Sequence, residues 1–215
     1  MIVFVPAYDV STKANLFIAK YITTSTCITL FESKATREEL IAALSQANSL
    51  ALFAMSHGVR DALKDHKGKV ALSSKDVNLL NKRTVYAFAC HTAAQLGKSA
   101  ADAGSIWWGY SDTISCAVDS PAASEIFTQI FTFIRDNFQI ATSSEEIQKM
   151  LETLKQMCDE AAAQIDNIDF ETEFSDIAEI QMTLLHIWDR LRIWIPDAED
   201  PERHPHGSSP SLPWP

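Results

Sequence analysis

A cysteine and a histidine, each closing an apolar run, are the residues of this chain whose types and spacing bear most on chemistry. Val85-Tyr86-Ala87-Phe88-Ala89 stops at Cys90, and Leu50-Ala51-Leu52-Phe53-Ala54-Met55 stops at Ser56-His57-Gly58. Runs that are apolar throughout, rather than alternating, suit central parallel strands covered on both faces. If the two strands are neighbours, thiol and imidazole emerge side by side at the carboxyl edge of one sheet, where the catalytic groups of such sheets gather. The thiolate is the reactive form of cysteine, and a helix starting just after Cys90 would favour it through its dipole and free amides. Those amides would also stabilise the oxyanion formed when sulfur attacks a carbonyl. His57 would then give a proton to the departing amine, and Gly58 would let a substrate backbone approach closely.

Each residue also has a plainer reading. A cysteine ending an apolar strand is by itself a small buried hydrophobe, and a strand-end His-Gly is by itself turn chemistry. The argument for reactivity is their pairing. A metal held by His57, Cys90 and His91 is an alternative that no ligand spacing supports.

The elements that must position this pair alternate between strand and helix. Ile2 to Val5 is a short β-type run ended by Pro6, and Ser11 to Ile22 is helix-compatible. Cys27 to Phe31 reads as a second strand. Thr36-Arg-Glu-Glu39 has the spacing of a capping box and leads a helix with Leu40, Ile41, Leu44 and Ala47 on its apolar face. Between the two long apolar runs, Arg60 to Lys82 is polar and predicts an exposed loop or hairpin, with Val70 to Leu72 as a short strand. Thr92 to Ala103 predicts a helix ended by Gly104, and Ser105 to Tyr110 a fifth strand. Such alternation implies βαβ units and a mostly parallel sheet. From Pro121 the pattern turns helical: Ser124 to Phe138, a second helix led by the capping box Ser143-Ser-Glu-Glu146, and a third from Ser175 to about Arg192. Ile193 to Ile195 is short and ambiguous. Pro196 to Pro215 holds six of the eight prolines and predicts a disordered or extended tail, in which His204 and His206 are given no role beyond weak adventitious metal binding.

Composition sets the outer bounds. The 215 residues, 47% hydrophobic and 21% charged, are enough for one full core with an elaboration. No apolar run spans a bilayer and no basic region precedes a long apolar stretch, so the expectation is a cytoplasmic protein with no membrane partner. A net charge of −10 argues against direct binding of nucleic acid and leans toward a basic partner or substrate. Cys27, Cys90, Cys116 and Cys158 lack CxxC spacing, so neither a zinc knuckle nor a disulfide framework is indicated.

The strand ending in Ser56-His57-Gly58, the strand ending in Ala89-Cys90-His91-Thr92-Ala93, and the following Gly104-Ser-Ile-Trp-Trp-Gly-Tyr-Ser-Asp112 together resemble the caspase-like cysteine peptidases, closest to their CHAT and separase branch. Members of that group carry a His-Gly at the end of the third strand and a cysteine at the end of the fourth, here 33 residues apart. The resemblance covers residues 1 to 120 and, with the helical continuation, extends to 195.

It implies an α/β caspase-like three-layer sandwich with a mostly parallel central sheet and a C-terminal helical elaboration. The domain would span 1–195, with a core of 1–120 and the elaboration at 121–195, followed by the tail 196–215. It implies a cysteine endopeptidase without a cofactor, with Cys90 as nucleophile, His57 as general acid and base, and the amides of Gly58 and Cys90 as oxyanion donors. In separase-type members the later strand ends in Trp-x-x-Ser/Thr-Asp, a pattern that Trp108 to Asp112 fits. Asp112 would then receive a basic P1 side chain, Arg before Lys, through paired charge-assisted hydrogen bonds. Asp102 and Asp119 compete for that place, and a preference for Asp would instead need an arginine there, for which Arg60, Lys64 and Arg83 are the few basic residues at hand. CHAT proteins commonly carry repeats or sensor domains, none of which is recognisable in this chain, so a regulatory or sensor protein is expected as a partner beside the protein substrate. Two rivals stand: an inactive or latent peptidase-like interaction subunit, and a doubly wound nucleotide- or signal-binding domain. The second lacks any Gly-rich phosphate loop among the six glycines.

Overall fold

Each apolar run becomes a short strand because both of its faces find a layer to bury against. The computed structural model describes residues 1–47, 49–116, 121–165 and 174–208. Its strands are β1 (Ile2–Val5), β2 (Ile28–Phe31), β3 (Leu52–Met55), β4 (Gly58–Val59), β5 (Ala62–Lys64), β6 (Val70–Ser73), β7 (Thr84–Phe88), β8 (Ile106–Tyr110) and β9 (Leu191–Trp194). Among the described residues there are six α-helices: α1 (Val10–Ile22), α2 (Arg37–Gln46), α3 (Gln95–Asp102), α4 (Pro121–Asn137), α5 (Ser144–Ile165) and α6 (Phe174–Asp189).

The fold is α/β with a mostly parallel six-stranded sheet in the order β2-β1-β3-β7-β8-β9. Its first five strands run parallel, and β9 closes one edge antiparallel to β8. Alternation along each strand splits the core in two. Val3, Val5, Phe53, Met55, Tyr86, Phe88, Trp108 and Tyr110 face α1, α4, α5 and α6. Ile2, Phe4, Leu52, Ala54, Val85, Ala87 and Trp107 face α2, α3 and the second sheet. On the first face Phe138, just past α4, packs its ring 5.8 Å from Phe53 and 6.0 Å from Tyr86. The buried Tyr86 and Tyr110 hydroxyls satisfy each other at 2.8 Å.

The segment expected as an exposed loop or hairpin does carry its short strand at Val70–Ser73, but it is buried into the core rather than exposed. β4, β5 and β6 form an antiparallel three-stranded sheet, and Leu63, Ala71, Leu72 and Leu80 are fully buried. Asp76 anchors it: its carboxylate accepts from the Ser73 amide and hydroxyl and from both Arg37 guanidinium nitrogens, at 2.7 and 2.8 Å. The Arg37 guanidinium leads the causes that hold the Asp76 carboxyl well below the usual carboxylate range, against the opposing effect of partial burial.

The chain beyond β9 is tied back along the sheet. Ile193 and Glu202 exchange backbone hydrogen bonds of 2.9 and 2.8 Å. The buried His204 ring reaches Glu152 of α5 at 2.8 Å and lies edge-on to Trp188. Residues 209–215 of the expected tail lie outside the described residues. No helix among the described residues is long and apolar enough to cross a membrane.

Two stability measurements check this architecture. Phe138→Ala should cost about 3–5 kcal/mol in denaturant unfolding while keeping a single transition, because its ring completes the packing over the central strands. Two separate transitions would show that the helices after Pro121 form a unit of their own. Asp76→Asn should cost about 1–2 kcal/mol at pH 7, allowing for a half-exposed arginine partner. A depressed folded-state value means that the stabilisation is complete above the ordinary 3.8 and is lost as the pH falls below it. The gap between variant and wild type should therefore close on acidification.

Candidate functional site

His57 leaves one sheet and enters the other. The Ser56 amide continues the β3–β7 ladder with a 3.1 Å bond to the Phe88 carbonyl, and the Lys64 amide of β5 donates to the His57 carbonyl at 3.0 Å. The Ser56 hydroxyl adds a 2.6 Å bond to the Lys64 carbonyl. The histidine backbone is thus held on both sides, while 37% of its side chain remains exposed. Nε2 of the ring lies 2.6 Å from Oδ2 of Asp9, and the Tyr8 ring packs on it with centroids 5.7 Å apart. Asp9 is the N-cap of α1: its Oδ1 accepts from the Thr12 amide at 2.9 Å and the Thr12 hydroxyl at 2.7 Å. Partial burial acts to raise the Asp9 carboxyl, but the Thr12 amide and hydroxyl and the His57 ring outweigh it and hold it below its ordinary value.

Cys90 stands at the matching point of the next strand. The β3–β7 register pairs Leu52 with Val85 and Met55 with Phe88, so its continuation sets His57 opposite Cys90. Backbone contact carries the match beyond the strands: a Cβ on Gly58 would stand 2.4 Å from the Cys90 carbonyl and 2.6 Å from Thr92 Cγ2. Gly58 is therefore required by the chain's own packing, whatever it does for a substrate. Cys90 itself is half-buried.

The residues after Cys90 form a tight turn rather than the expected helix start. α3 begins only at Gln95, beyond the turn, and carries no side-chain cap. His91 sits in the left-handed region at φ +59, a cost that surrounding bonds must overcome. Its amide donates to the Asp112 carbonyl at 3.3 Å, the Ala93 amide to the Tyr110 carbonyl at 3.1 Å, and the Thr92 hydroxyl to the Ala89 carbonyl at 2.9 Å. On the far side Gly109 admits the turn, since a Cβ there would stand 2.9 Å from Thr92 Oγ1 and 3.1 Å from the Ala93 nitrogen.

The sulfur rests against the segment that follows β8. The Cys90 thiol donates to the Ile114 carbonyl at 3.3 Å and accepts from the Ile114 amide at 3.4 Å. Cys116 and Cys158 are buried, and burial pushes both thiols up, so neither competes as a reactive form.

Asp112 lies at the same edge, joined to the Cys90 turn through its carbonyl, but its Oδ1 accepts from its own neighbour, the Thr113 amide, at 2.7 Å. Of its competitors, Asp102 pairs with Lys98 at the end of α3, and Asp119 lies outside the described residues. Arg83 precedes β7 and so belongs to the opposite edge, where its guanidinium donates to the Leu80 and Leu44 carbonyls. Arg190 lies against the residues flanking Asp112: its guanidinium donates to the Thr113 carbonyl and its own carbonyl accepts from the Ser111 amide. No group of three His, Cys, Asp or Glu residues among the described residues is arranged to hold a metal.

Sequence reasoning thus missed Asp9, Tyr8, Ile114 and Arg190. Only Asp9 left a signal, the Asp9-x-x-Thr12 spacing of a helix cap directly after a strand. No protein-family model matches the chain, and no curated protein matches it.

Gly58→Ala tests whether the two strand ends depend on one another. The added methyl meets the Cys90 carbonyl oxygen, which cannot rotate away, so a loss of about 1–3 kcal/mol is expected, together with a change in Cys90 alkylation rate. An unchanged stability and rate would mean that the His57 and Cys90 loops are not packed as described.

Proposed function

We propose that the protein is a cysteine endopeptidase of caspase-like architecture, with Cys90 as nucleophile and His57 as general acid and base. The observation that carries this reading is the β3–β7 register, which brings a half-buried thiol level with a half-exposed imidazole at the carboxyl edge of a parallel sheet. In the first half-reaction His57 takes the Cys90 thiol proton as the sulfur attacks the scissile carbonyl carbon. The amides of Gly58 and Cys90 receive the oxyanion, the C–N bond breaks, and His57 passes its proton to the leaving amine. Water then attacks the thioester as His57 takes its proton, the C–S bond breaks to release the acid, and His57 returns the proton to the sulfur.

A basic P1 residue, Arg before Lys, is assigned to Asp112, which must release the Thr113 amide or share it to meet a guanidinium. The net charge of −10 favours such a substrate. We place the protein in the cytoplasm, with a regulatory or sensor partner and without a cofactor. A latent state is the second reading, and one contact favours it: the thiol is engaged with Ile114 rather than directed into open solvent.

Mass mapping of iodoacetamide adducts separates these readings from an inert fold. Cys90 should alkylate faster than Cys27 and far faster than the buried Cys116 and Cys158, and parity with Cys27 would overturn the activated nucleophile. A P1-scanned peptide library should favour Arg, with cleavage abolished in Cys90→Ala. Asp112→Asn should lower kcat/KM for the Arg substrate by about 10–100-fold, the worth of charge-assisted hydrogen bonds. A preference for Asp or for apolar residues would remove Asp112 from the pocket.

A further inference from the structure

We infer that Asp9 is the positioning residue of the site, fixing His57 in the tautomer that presents an unprotonated Nδ1 to the Cys90 side. This rests on the peptidase reading above and adds a third group to it. Strand order makes the case first: β1, β3 and β7 are consecutive in the sheet, and the residues beyond their carboxyl ends are Asp9, His57 and Cys90. Carboxylate, imidazole and thiol therefore follow one another along a single edge.

Geometry makes it second. The two Asp9 oxygens have different tasks: Oδ1 is occupied by the Thr12 amide and hydroxyl, and Oδ2 lies 2.6 Å from His57 Nε2. The capping bonds hold the carboxylate before it meets the ring, so little side-chain freedom remains to be lost in orienting the histidine. An ionised carboxylate only accepts, so the proton of the Asp9–His57 bond belongs on Nε2 and the neutral ring keeps its lone pair on Nδ1. The Tyr8 ring packs against it, 5.7 Å away and tilted by 54°. The titratable groups that touch the ring are Asp9 and Tyr8, Tyr8 in turn faces Asp65 and His66, and Lys64 is bonded to the His57 backbone.

Asp9→Asn turns the bond round. The Thr12 amide still requires an oxygen at the capping position, so the side-chain NH2 faces His57 and donates to Nε2. The ring proton is driven to Nδ1, and the atom needed as base becomes a donor. Asp9→Ser keeps a helix cap but does not reach the ring.

The test is a proton–nitrogen correlation spectrum of the histidine rings in the full-length protein, recorded where His57 is neutral, with Cys90 alkylation measured across pH on the same samples. Wild type should carry the proton on Nε2 and Asp9→Asn on Nδ1. Cys90 alkylation should slow about tenfold or more in Asp9→Asn and Asp9→Ser alike, and cleavage by about 10²–10⁴-fold. A wild-type ring protonated on Nδ1 overturns the inference, and that measurement needs no variant to fold. Recovery of wild-type alkylation in Asp9→Ser also overturns it, because Asp9 would then act only as a cap. His57→Ala separates the two levels of the argument. If it changes the alkylation profile and Asp9→Asn does not, the positioning role fails while the Cys90–His57 reading stands. If neither changes it, the peptidase reading itself fails.

Discussion

The parallel pairing of β3 with β7 is the constraint on which the site depends. Its ladder relates residues 33 positions apart, and His57 and Cys90 are separated by that same interval. A slip of one residue would send every side chain of one strand to the opposite face, exchanging Phe53 and Met55 for Leu52 and Ala54 in layers that cannot accept them. The two apolar layers therefore hold the imidazole and thiol level with a free energy far larger than any hydrogen bond at the edge. The neighbouring strands extend the same logic, with β1 delivering Asp9 on one side and β8 delivering Asp112 and Ile114 on the other.

Beyond the ladder, precision comes from backbone packed on backbone. The turn after Cys90 is wedged between Gly58 and Gly109, and Gly97 of α3 leaves room beneath it for Trp107 and Trp194. The Trp194 indole nitrogen donates to the Ala93 carbonyl at 2.6 Å, so β9 also helps to hold the turn. Such contacts explain how His91 keeps a left-handed conformation without being glycine. His57 depends in the same way on the second sheet, whose register starts with Gly58 opposite Leu63 and whose far end is clamped by Asp76 and Arg37. A disturbance at Arg37 would thus reach the imidazole through β-ladders rather than through side-chain packing.

These dependencies were unevenly legible. The parallel strands could be read because four or five consecutive apolar residues admit few other fates, and Thr36 and the Ser143–Glu146 box marked their helices through local hydrogen bonds that do form. The second sheet could not be read in full, because Leu63, Ala71 and Leu72 stand among charged residues and are buried by a partner layer that the local pattern does not announce. The start of α3 was misplaced for a related reason. Thr92, Ala93 and Ala94 have helical propensity, but the turn is tied to Tyr110 and Asp112 across the chain, and those bonds outrank propensity. Asp9 was overlooked as chemistry because a helix cap explains it completely until the neighbouring strand is known to end in His57.

The resting state of the sulfur follows from the same economy of contacts. Thiols are weak donors and weak acceptors, so the two Ile114 bonds are easily given up. The segment that makes them is held more firmly: the Ser111 amide is bonded to Arg190, the Arg190 guanidinium to Thr113, and the Asp112 carbonyl to the His91 amide. Freeing the sulfur therefore asks for a turn of the Cys90 side chain before any movement of the loop. The main-chain groups beside Cys90 are bonded to one another, so the segment from Ser111 to Ile114 forms a fixed wall against which the sulfur rests.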